Sequence, residues 1–175
     1  MVYTLFCAKE VLESGDDILI TYGDIIFNKL VLETILKSNN ELNISIDTNW
    51  KQYWEKRMDN PLKDAETLKL DSFSNIIEIG KKPKSYSEIE GQYMGLIKIK
   101  SKLAKNLYSI WESMDKNKLY DNKKHENIYM TSFIQHLINI GIKAKAVPVK
   151  SGWVEIDTPS DLIFGEAWLK SQYLI

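Results

Sequence analysis

The sequence predicts an α/β protein in which helices pack on a β-sheet. Residues 17–25 contain a run of apolar and β-branched side chains, which is typical of a strand buried on both faces in a mainly parallel sheet. Helical periodicity over 27–38 and apolar/polar alternation over 42–46 follow, so the order is strand, helix, strand. Residues 152–162 then predict a strand that passes directly into a helix. Together these three observations predict the α/β class.

The composition is that of a globular protein, and we expect one domain over residues 1–175. Apolar residues make up 44% of the chain and charged residues 27%, which excludes disordered and fibrous classes. Lysine and arginine number 23 and aspartate and glutamate 24. The resulting net charge of -1 gives no overall field that would attract nucleic acid or an anionic membrane.

Cysteine and histidine are scarce in this sequence. Cys7 is the single cysteine and there are two histidines, so neither an internal disulfide nor a Cys/His metal cluster is possible. No stretch approaches the length of a membrane span, and the first ten residues lack the features of a signal peptide. We therefore expect a cytoplasmic protein with no membrane or nucleic-acid partner.

The elements follow in order from the spacing of the apolar residues. Residues 2–12 predict a helix that ends at a turn containing Gly15. The aromatic and charged segment 48–64 has no clean period and predicts a short helix and a loop, either a lid or an insertion. The next predicted elements are two short strands at 67–70 and 76–79, a solvated lysine turn at 81–84, a strand at 91–99, a helix at 103–111, a mobile polar loop at 115–126 and a helix at 130–138.

Two prolines mark the last part of the chain. Pro148 lies in a predicted strand at 144–148, which we expect near a sheet edge or ending early because proline lacks the backbone N–H. Thr158, Pro159 and Asp161 suit the N-cap, first and third positions of the final helix, a near capping box.

Two aspartates are expected at strand ends. Asp24 follows Gly23 after the first strand, and Asp157 ends the strand that leads into the last helix. In an open α/β sheet both ends would face one crevice, where two carboxylates suit Mg²⁺ with room left for water and phosphate. Gly23 would allow a phosphate or metal to approach the backbone. The alternative is that Gly23 and Asp24 form a simple turn and that Asp24 caps the next helix.

Other catalytic patterns are missing from the sequence. It contains no Gly-x-Ser-x-Gly elbow, P-loop or Gly-x-Gly-x-x-Gly. His125 falls in the polar loop, where we expect it to be exposed. His136 lies one position from the apolar stripe of its helix, and we expect a surface or boundary residue there rather than a catalytic base. Phosphoryl and nucleotidyl transfer remain possible, because they depend on positioning and on charge neutralisation by metal and lysines.

Four ordered phrases, at residues 22–25, 79–83, 91–96 and 152–158, resemble the sugar nucleotidyltransferase-like family, nearest to its phosphocholine or aminoalkylphosphonate cytidylyltransferases. The resemblance implies that the chain is the C-terminal portion of a Rossmann-like mixed sheet with flanking helices. It also implies transfer of a nucleotidyl group, usually CMP from CTP, to a small phosphorylated or phosphonylated acceptor such as phosphocholine, with release of pyrophosphate.

The resemblance also implies residue roles. Asp24 and Asp157 match the magnesium-binding aspartates, and Lys82 matches a lysine near the acceptor phosphate; these three are the expected catalytic residues. Tyr93 and Gly95 match the acceptor-side strand. The expected substrate-binding residues are Tyr22, Gly23, Tyr93, Gly95 and Trp153. Some aromatic rings could also face a quaternary ammonium such as choline, although core packing is the alternative for each. The rings considered are Trp50, Tyr53, Trp54, Tyr86 and Tyr93.

The sequence departs from the family pattern at its start. Family members begin with a strand and a glycine-rich loop around the triphosphate, and neither occurs here. Ser132 also stands where the branch tends to have aspartate. One interpretation is the acceptor and metal half of an enzyme, completed by a separate N-terminal fragment; the alternatives are a non-catalytic binding or assembly module and a truncated remnant. Missing sheet neighbours would leave exposed strand edges, so self-association is also expected.

Overall fold

The computed structural model describes residues 1–172 and has a six-stranded mixed sheet with a separate two-stranded ribbon. The strand order is β1-β6-β3-β7-β5-β4 in the sheet and β2-β8 in the ribbon. The strands are β1 (Ile18–Thr21), β2 (Ile25–Phe27), β3 (Leu42–Asp47), β4 (Leu68–Leu70), β5 (Asn75–Ile79), β6 (Gln92–Ile99), β7 (Ala144–Val149) and β8 (Trp153–Glu155). The α-helices are α1 (Val2–Phe6), α2 (Lys9–Leu12), α3 (Lys29–Lys37), α4 (Trp50–Arg57), α5 (Ser101–Ser113), α6 (Met130–Asn139) and α7 (Pro159–Gln172).

Helices cover the sheet on both faces, giving three layers. One core cluster joins the sheet to α1, α2, α5 and α6, with Phe6, Leu107 and Phe133 among its buried side chains. The other joins the sheet to α3, α4, α7 and the β2–β8 ribbon, and Tyr53 and Trp153 are buried in it. This arrangement confirms the predicted α/β class. None of the helices within residues 1–172 combines the length and apolarity needed for a membrane span.

Strand β1 is not the doubly buried central strand that its apolar run predicted. It pairs only with β6 within the described residues, and its side chains alternate between half-buried and exposed. Both β1 and β3 run antiparallel to β6, and only β3 and β7 are parallel neighbours in the sheet. Apolar composition alone cannot distinguish a central strand from an edge strand that lies beside a groove.

Strand β3 is the central strand, and its alternating polar residues are buried as well as its apolar ones. The Asn43 amide donates to the carbonyls of Asn40 and Lys98, at 2.7 and 3.2 Å. The Asp47 carboxylate accepts hydrogen bonds from Ser151 N and from Trp153 Nε1, both at 3.0 Å. The polar alternation here therefore marks buried groups rather than a solvent-facing side: Asn43 and Asp47 are hydrogen-bonded, whereas Ser45 Oγ has no partner among the described residues.

Strand β7 explains how Pro148 is tolerated inside a sheet. It pairs with β3 along its whole length but with β5 only at Lys145 and Ala144. On the β5 side the last backbone bond is from Ala146 N to Ser74 O, at 3.0 Å. Pro148, two residues further on, has its nitrogen on that same side, where β5 no longer pairs, so no ladder bond is lost. Pro148 therefore has the predicted edge-like position on the β5 side of β7, although β7 itself lies inside the sheet.

Three local predictions are wrong. The helix predicted over 2–12 is two short helices, α1 and α2, interrupted at Cys7 and Ala8. The chain after Asp24 forms strand β2 and not a helix, and Asn28, whose side chain accepts from Val31 N at 2.9 Å, caps α3. His125 is 5% exposed rather than at the surface. Its ring stacks on Trp111 with centroids 4.5 Å apart, and its Nε2 lies 2.8 Å from the Trp111 carbonyl oxygen. Tertiary contacts from α5 bury this histidine, which its polar neighbours in sequence could not indicate.

Candidate functional site

The turn between β1 and β2 carries the Tyr-Gly-Asp phrase. Tyr22 N donates to Gly95 O at 3.0 Å, which ties the start of the turn to β6. Strand β2 then pairs with β8, with Ile25 opposite Glu155, and Ile156 N donates to Asp24 O at 2.8 Å. The backbone at Asp24 therefore lies beside the end of β8, immediately before Asp157.

A cavity of about 220 Å³ opens next to this turn, and we call it the acidic cavity. Carboxylates and aromatic rings dominate its lining, and none of the described lysines or the arginine lines it. Its walls are formed by Met1, Tyr22, Trp54, Asp64, Glu66, Gln92, Tyr93, Tyr129, Thr131, Glu155 and Asp157. A cavity of this composition favours a cation or a hydrogen-bond donor over a bare anion.

An adjoining groove of about 340 Å³ runs along strand β1, and we call it the β1 groove. Apolar side chains such as Leu5, Ile20 and Met130 line most of it, and Gly23 and Asp24 lie at one end. Tyr22 borders both the groove and the acidic cavity. Asp24 and Asp157 thus line neighbouring spaces on the two sides of Tyr22, and their shared coordination of one ion stays a prediction.

Burial shapes the protonation of this region. It raises the pKa of Tyr22 to about 12 and holds the pKa of Tyr93 well above the ordinary value. Burial also raises the pKa of Glu66, outweighing the opposing effect of a hydrogen bond with Thr131. The pKa of Glu155 is raised by burial and by the negative charges of Asp157 and Asp24, against the opposing effect of Arg57. Both predicted metal ligands therefore lie within electrostatic reach of Glu155.

Asp157 belongs to a charge cluster at the start of α7. The predicted capping box is present, because Asp161 Oδ2 accepts from Thr158 N at 2.9 Å and Thr158 Oγ1 lies 3.3 Å from Asp161 N. Arg57, at the end of α4, forms ion pairs with Glu155, Asp157 and Asp161 at 2.9, 2.5 and 2.8 Å. Hydrogen bonds from Arg57 and Thr158 hold the pKa of Asp161 well below its usual range.

The other predicted site residues fall into different places. Gly95 has φ of +72°, and the Tyr22 ring packs against its α-carbon. A side chain at position 95 would therefore clash with Tyr22 beneath the turn. Lys82 is exposed and donates to the Lys63 carbonyl oxygen, outside the acidic cavity lining. Trp153 is 1% exposed and donates to Asp47, and its predicted contact with substrate stays a prediction. Gly23 has open space around its α-carbon, which leaves its predicted role untested.

The predicted aromatic site for a quaternary ammonium is not assembled as one group. Trp50 and Tyr53 are 4% and 1% exposed and pack in the core, which is the alternative that the sequence analysis gave for each ring. Tyr86 lies over Trp50 at 6.1 Å between centroids, and the Lys51 amine covers the Tyr86 ring. Trp54 and Tyr93 do line the acidic cavity.

Sequence reasoning missed Arg57, Glu66 and Glu155 as residues of this region. Glu66 and Glu155 lie in segments that were interpreted only as strand or loop. Arg57 carried a usable signal, because it is the single arginine among 23 basic residues. Arginine forms several directed hydrogen bonds at once, so a lone arginine in a lysine-rich chain indicates a buried carboxylate partner.

The donor set fits a magnesium ion through a pair of carboxylates. Within residues 1–172, no group of three or more His, Cys, Asp or Glu side chains is placed to hold a metal. Mg²⁺ is commonly held by one or two carboxylates together with water and substrate phosphates, so a pair of carboxylates suffices. Asp24, Asp157, Glu155 and Glu66 all lie close to Tyr22, so such a pair is available there.

The layered fold and the paired strand ends define a nucleotidyltransferase-like α/β protein. The inositol-1-phosphate CTP transferase from T. maritima has this fold, with a TM-score of 0.69 over 97% of this chain and 60% of that one, at 20% identity. The chain is also 44% identical over 166 residues to the CTP:phosphoglutamine cytidylyltransferase of Campylobacter jejuni subsp. jejuni serotype O:2. No family model matches the chain.

The sequence match covers 93% of this chain and 65% of the Campylobacter jejuni protein. The chain thus spans about two thirds or less of the length of these similar proteins. The 44% identity to a cytidylyltransferase confirms the predicted resemblance to these enzymes, and the solved structure shows the shared fold.

Proposed function

We propose that this chain forms the acceptor and metal part of a cytidylyltransferase that transfers CMP from CTP to a small phosphorylated or phosphonylated acceptor and releases pyrophosphate. The observation that carries the proposal is the β2–β8 pairing, which brings the Tyr22–Asp24 turn beside Asp157. The 44% identity to a CTP-dependent relative supports the nucleotide and the reaction class.

The proposed metal is Mg²⁺, held by Asp24 and Asp157. When bound, it would neutralise charge on the triphosphate and on the attacking acceptor phosphate. The role of the chain is to hold these carboxylates at the strand ends and to orient the acceptor between them and the acidic cavity. Lys82, on the neighbouring loop, would reach toward the acceptor phosphate after leaving the Lys63 carbonyl.

The acidic cavity supports an acceptor that carries an ammonium group. Glu66 lines the cavity and forms no ion pair with a described residue, and burial disfavours its charge. A ligand cation would compensate that charge. Phosphocholine and 2-aminoethylphosphonate have this chemistry, and the phosphoglutamine named for the relative also contains nitrogen groups.

The free edge of β1 supports a further partner. Strand β1 pairs on one side only within the described residues, and the apolar β1 groove runs beside it. We propose that a glycine-rich segment that cradles the triphosphate adds a strand at this edge, or that a second copy of the chain pairs there. We also propose a cytoplasmic location and one domain over residues 1–175, of which 173–175 lie outside the described part.

Pyrophosphate release tests this function. Purified chain is supplied with Mg²⁺, CTP and either phosphocholine or 2-aminoethylphosphonate, alone and with a separately expressed glycine-rich N-terminal segment of the relative. We expect turnover only with the added segment, because the α-phosphorus must be held in line with the acceptor oxygen. D24A and D157A should abolish it, whereas D59A, at an exposed aspartate outside the site, should not. Pyrophosphate release that is absent under every condition would favour the non-catalytic binding module.

A further inference from the structure

Arg57 joins helix α4 to the strand end that carries Asp157. Its side chain is 8% exposed, and it contacts three carboxylates that lie about 100 residues away in sequence. Nε and Nη2 donate to the two oxygens of Asp161, at 2.8 and 3.2 Å. Nη1 donates to Glu155 Oε2 at 2.9 Å, and Nη2 to Asp157 Oδ2 at 2.5 Å.

The three carboxylates are held unequally. Asp161 is 9% exposed, accepts two bonds from the guanidinium and also caps α7, so it anchors Arg57. Glu155 and Asp157 are 28% and 52% exposed, and each contacts Arg57 through one oxygen. Lysine could not replace this arrangement, because an ammonium lacks the planar fork that serves three carboxylates in fixed directions.

One oxygen of each outer carboxylate is left available. Glu155 Oε1 and Asp157 Oδ1 have no hydrogen-bond donor among residues 1–172, and both side chains line the acidic cavity. One guanidinium therefore fixes two carboxylates by their Oε2 and Oδ2 atoms and leaves the other two oxygens open. Hard carboxylate oxygens held in this way are suitable ligands for a divalent cation.

We propose that Arg57 is a positioning residue that holds Asp157 ready for the divalent cation, with Glu155 beside it contacting the ion through a bound water. The inference rests on the proposed function in that Asp157 is taken as a metal ligand. It adds a residue from helix α4 to the site and predicts that the metal affinity depends on the guanidinium fork. Partners that orient metal ligands typically change metal affinity by about 10- to 100-fold when they are removed.

The test measures Mn²⁺ affinity by electron paramagnetic resonance on the folded chain without nucleotide. R57K keeps the positive charge but loses the fork, so we expect Mn²⁺ affinity to fall by about tenfold or more. K56Q is the matched control, since Lys56 lies on the same helix turn and over Trp168 rather than beside the carboxylates. It should change the affinity by less than about twofold, because its charge is exposed and screened.

A second pair of variants keeps the test decisive where R57K does not fold. D161N removes the anchor of Arg57 and part of the helix cap, whereas T158A removes only a cap partner. We expect D161N to weaken Mn²⁺ binding more than T158A does. Circular dichroism on each variant establishes that the protein measured is folded.

The outcomes separate this inference from the proposed function. Wild-type affinity in folded R57K and in D161N would overturn the positioning role, and tighter binding would show that Arg57 competes with the metal instead. If the wild type binds Mn²⁺, and D157N loses it, the metal site stands whatever Arg57 does. Absence of Mn²⁺ binding by the wild type would overturn both the metal assignment and the role of Arg57.

Discussion

The ring of Tyr22 lies directly against the α-carbon of Gly95. A Cβ built on Gly95 would be 2.7 Å from Tyr22 Cγ, a distance that real side chains do not adopt. Gly95 also has φ of +72°, which favours glycine. Because Tyr22 starts the turn that carries Asp24, the missing side chain at position 95 in β6 sets where that turn sits.

We predict that G95A destabilises the protein by about 2 to 4 kcal/mol, from the strain at positive φ and from overpacking against Tyr22. G141A is a matched control, because Gly141 has φ of +94° but open space around its α-carbon. It should cost only about 1 kcal/mol. Urea unfolding of both variants measures the difference, and equal losses would show that the Tyr22 contact contributes nothing.

We predict that D47N lowers the free energy of unfolding by about 1 to 3 kcal/mol. Asp47 is fully buried and accepts from three N–H donors, Asn49 N, Ser151 N and Trp153 Nε1. An asparagine would turn an NH₂ group toward at least one of these donors, which leaves it buried and unpaired. Denaturant unfolding checks this against D59N at an exposed position. A D47N variant as stable as the wild type would refute the three-donor account.

We predict that E66Q is more stable than the wild type at pH 7 and that this gain disappears at low pH. The pKa of Glu66 is raised by burial, so the folded state favours the protonated form. The contribution of Glu66 to wild-type stability is then fully present below the ordinary pKa of 4.5, and it is lost as the pH rises through the raised pKa of the folded state. Glutamine removes that loss.

Thermal unfolding between pH 4 and pH 8 measures the effect of E66Q, with E126Q as a control at an exposed glutamate. If the stability gain of E66Q does not vary with pH, the gain does not come from removing a buried, charged carboxylate. The same variant should bind 2-aminoethylphosphonate more weakly than the wild type, because it lacks the negative charge that would face the ammonium group.

We predict that L19K reduces self-association of the chain. Leu19 is 37% exposed on the edge strand β1, and a lysine on an edge disfavours pairing with another strand. Light scattering after size exclusion should show the wild type above the monomer mass of 20.3 kDa at high concentration and L19K at that mass. F73K, at an apolar residue that is 75% exposed on the β4–β5 turn, should behave as the wild type does. A monomeric wild type would refute the edge pairing.

Local patterns in the sequence were sufficient for much of the fold. Helical spacing predicted α5 and α6, and the Thr158–Asp161 capping box is present as expected. Strand β2 was missed because three residues are too few to show a period, and its formation depends on pairing with β8. The doubly buried assignment of β1 failed because exposure of an edge is a property of the whole sheet.

The sequence by itself determined the α/β class and the resemblance to the cytidylyltransferases. It predicted Asp24 and Asp157 at strand ends, and the structure has Asp24 in the turn between β1 and β2 and Asp157 two residues after β8. Only the tertiary structure decided that Asp47 is a buried acceptor for Trp153 and that Arg57 gathers Glu155, Asp157 and Asp161. The partners in these contacts are 98 to 106 residues apart in the chain. Helix and strand periods arise from neighbours within a few residues, whereas such pairings depend on how the layers pack, which no local period encodes.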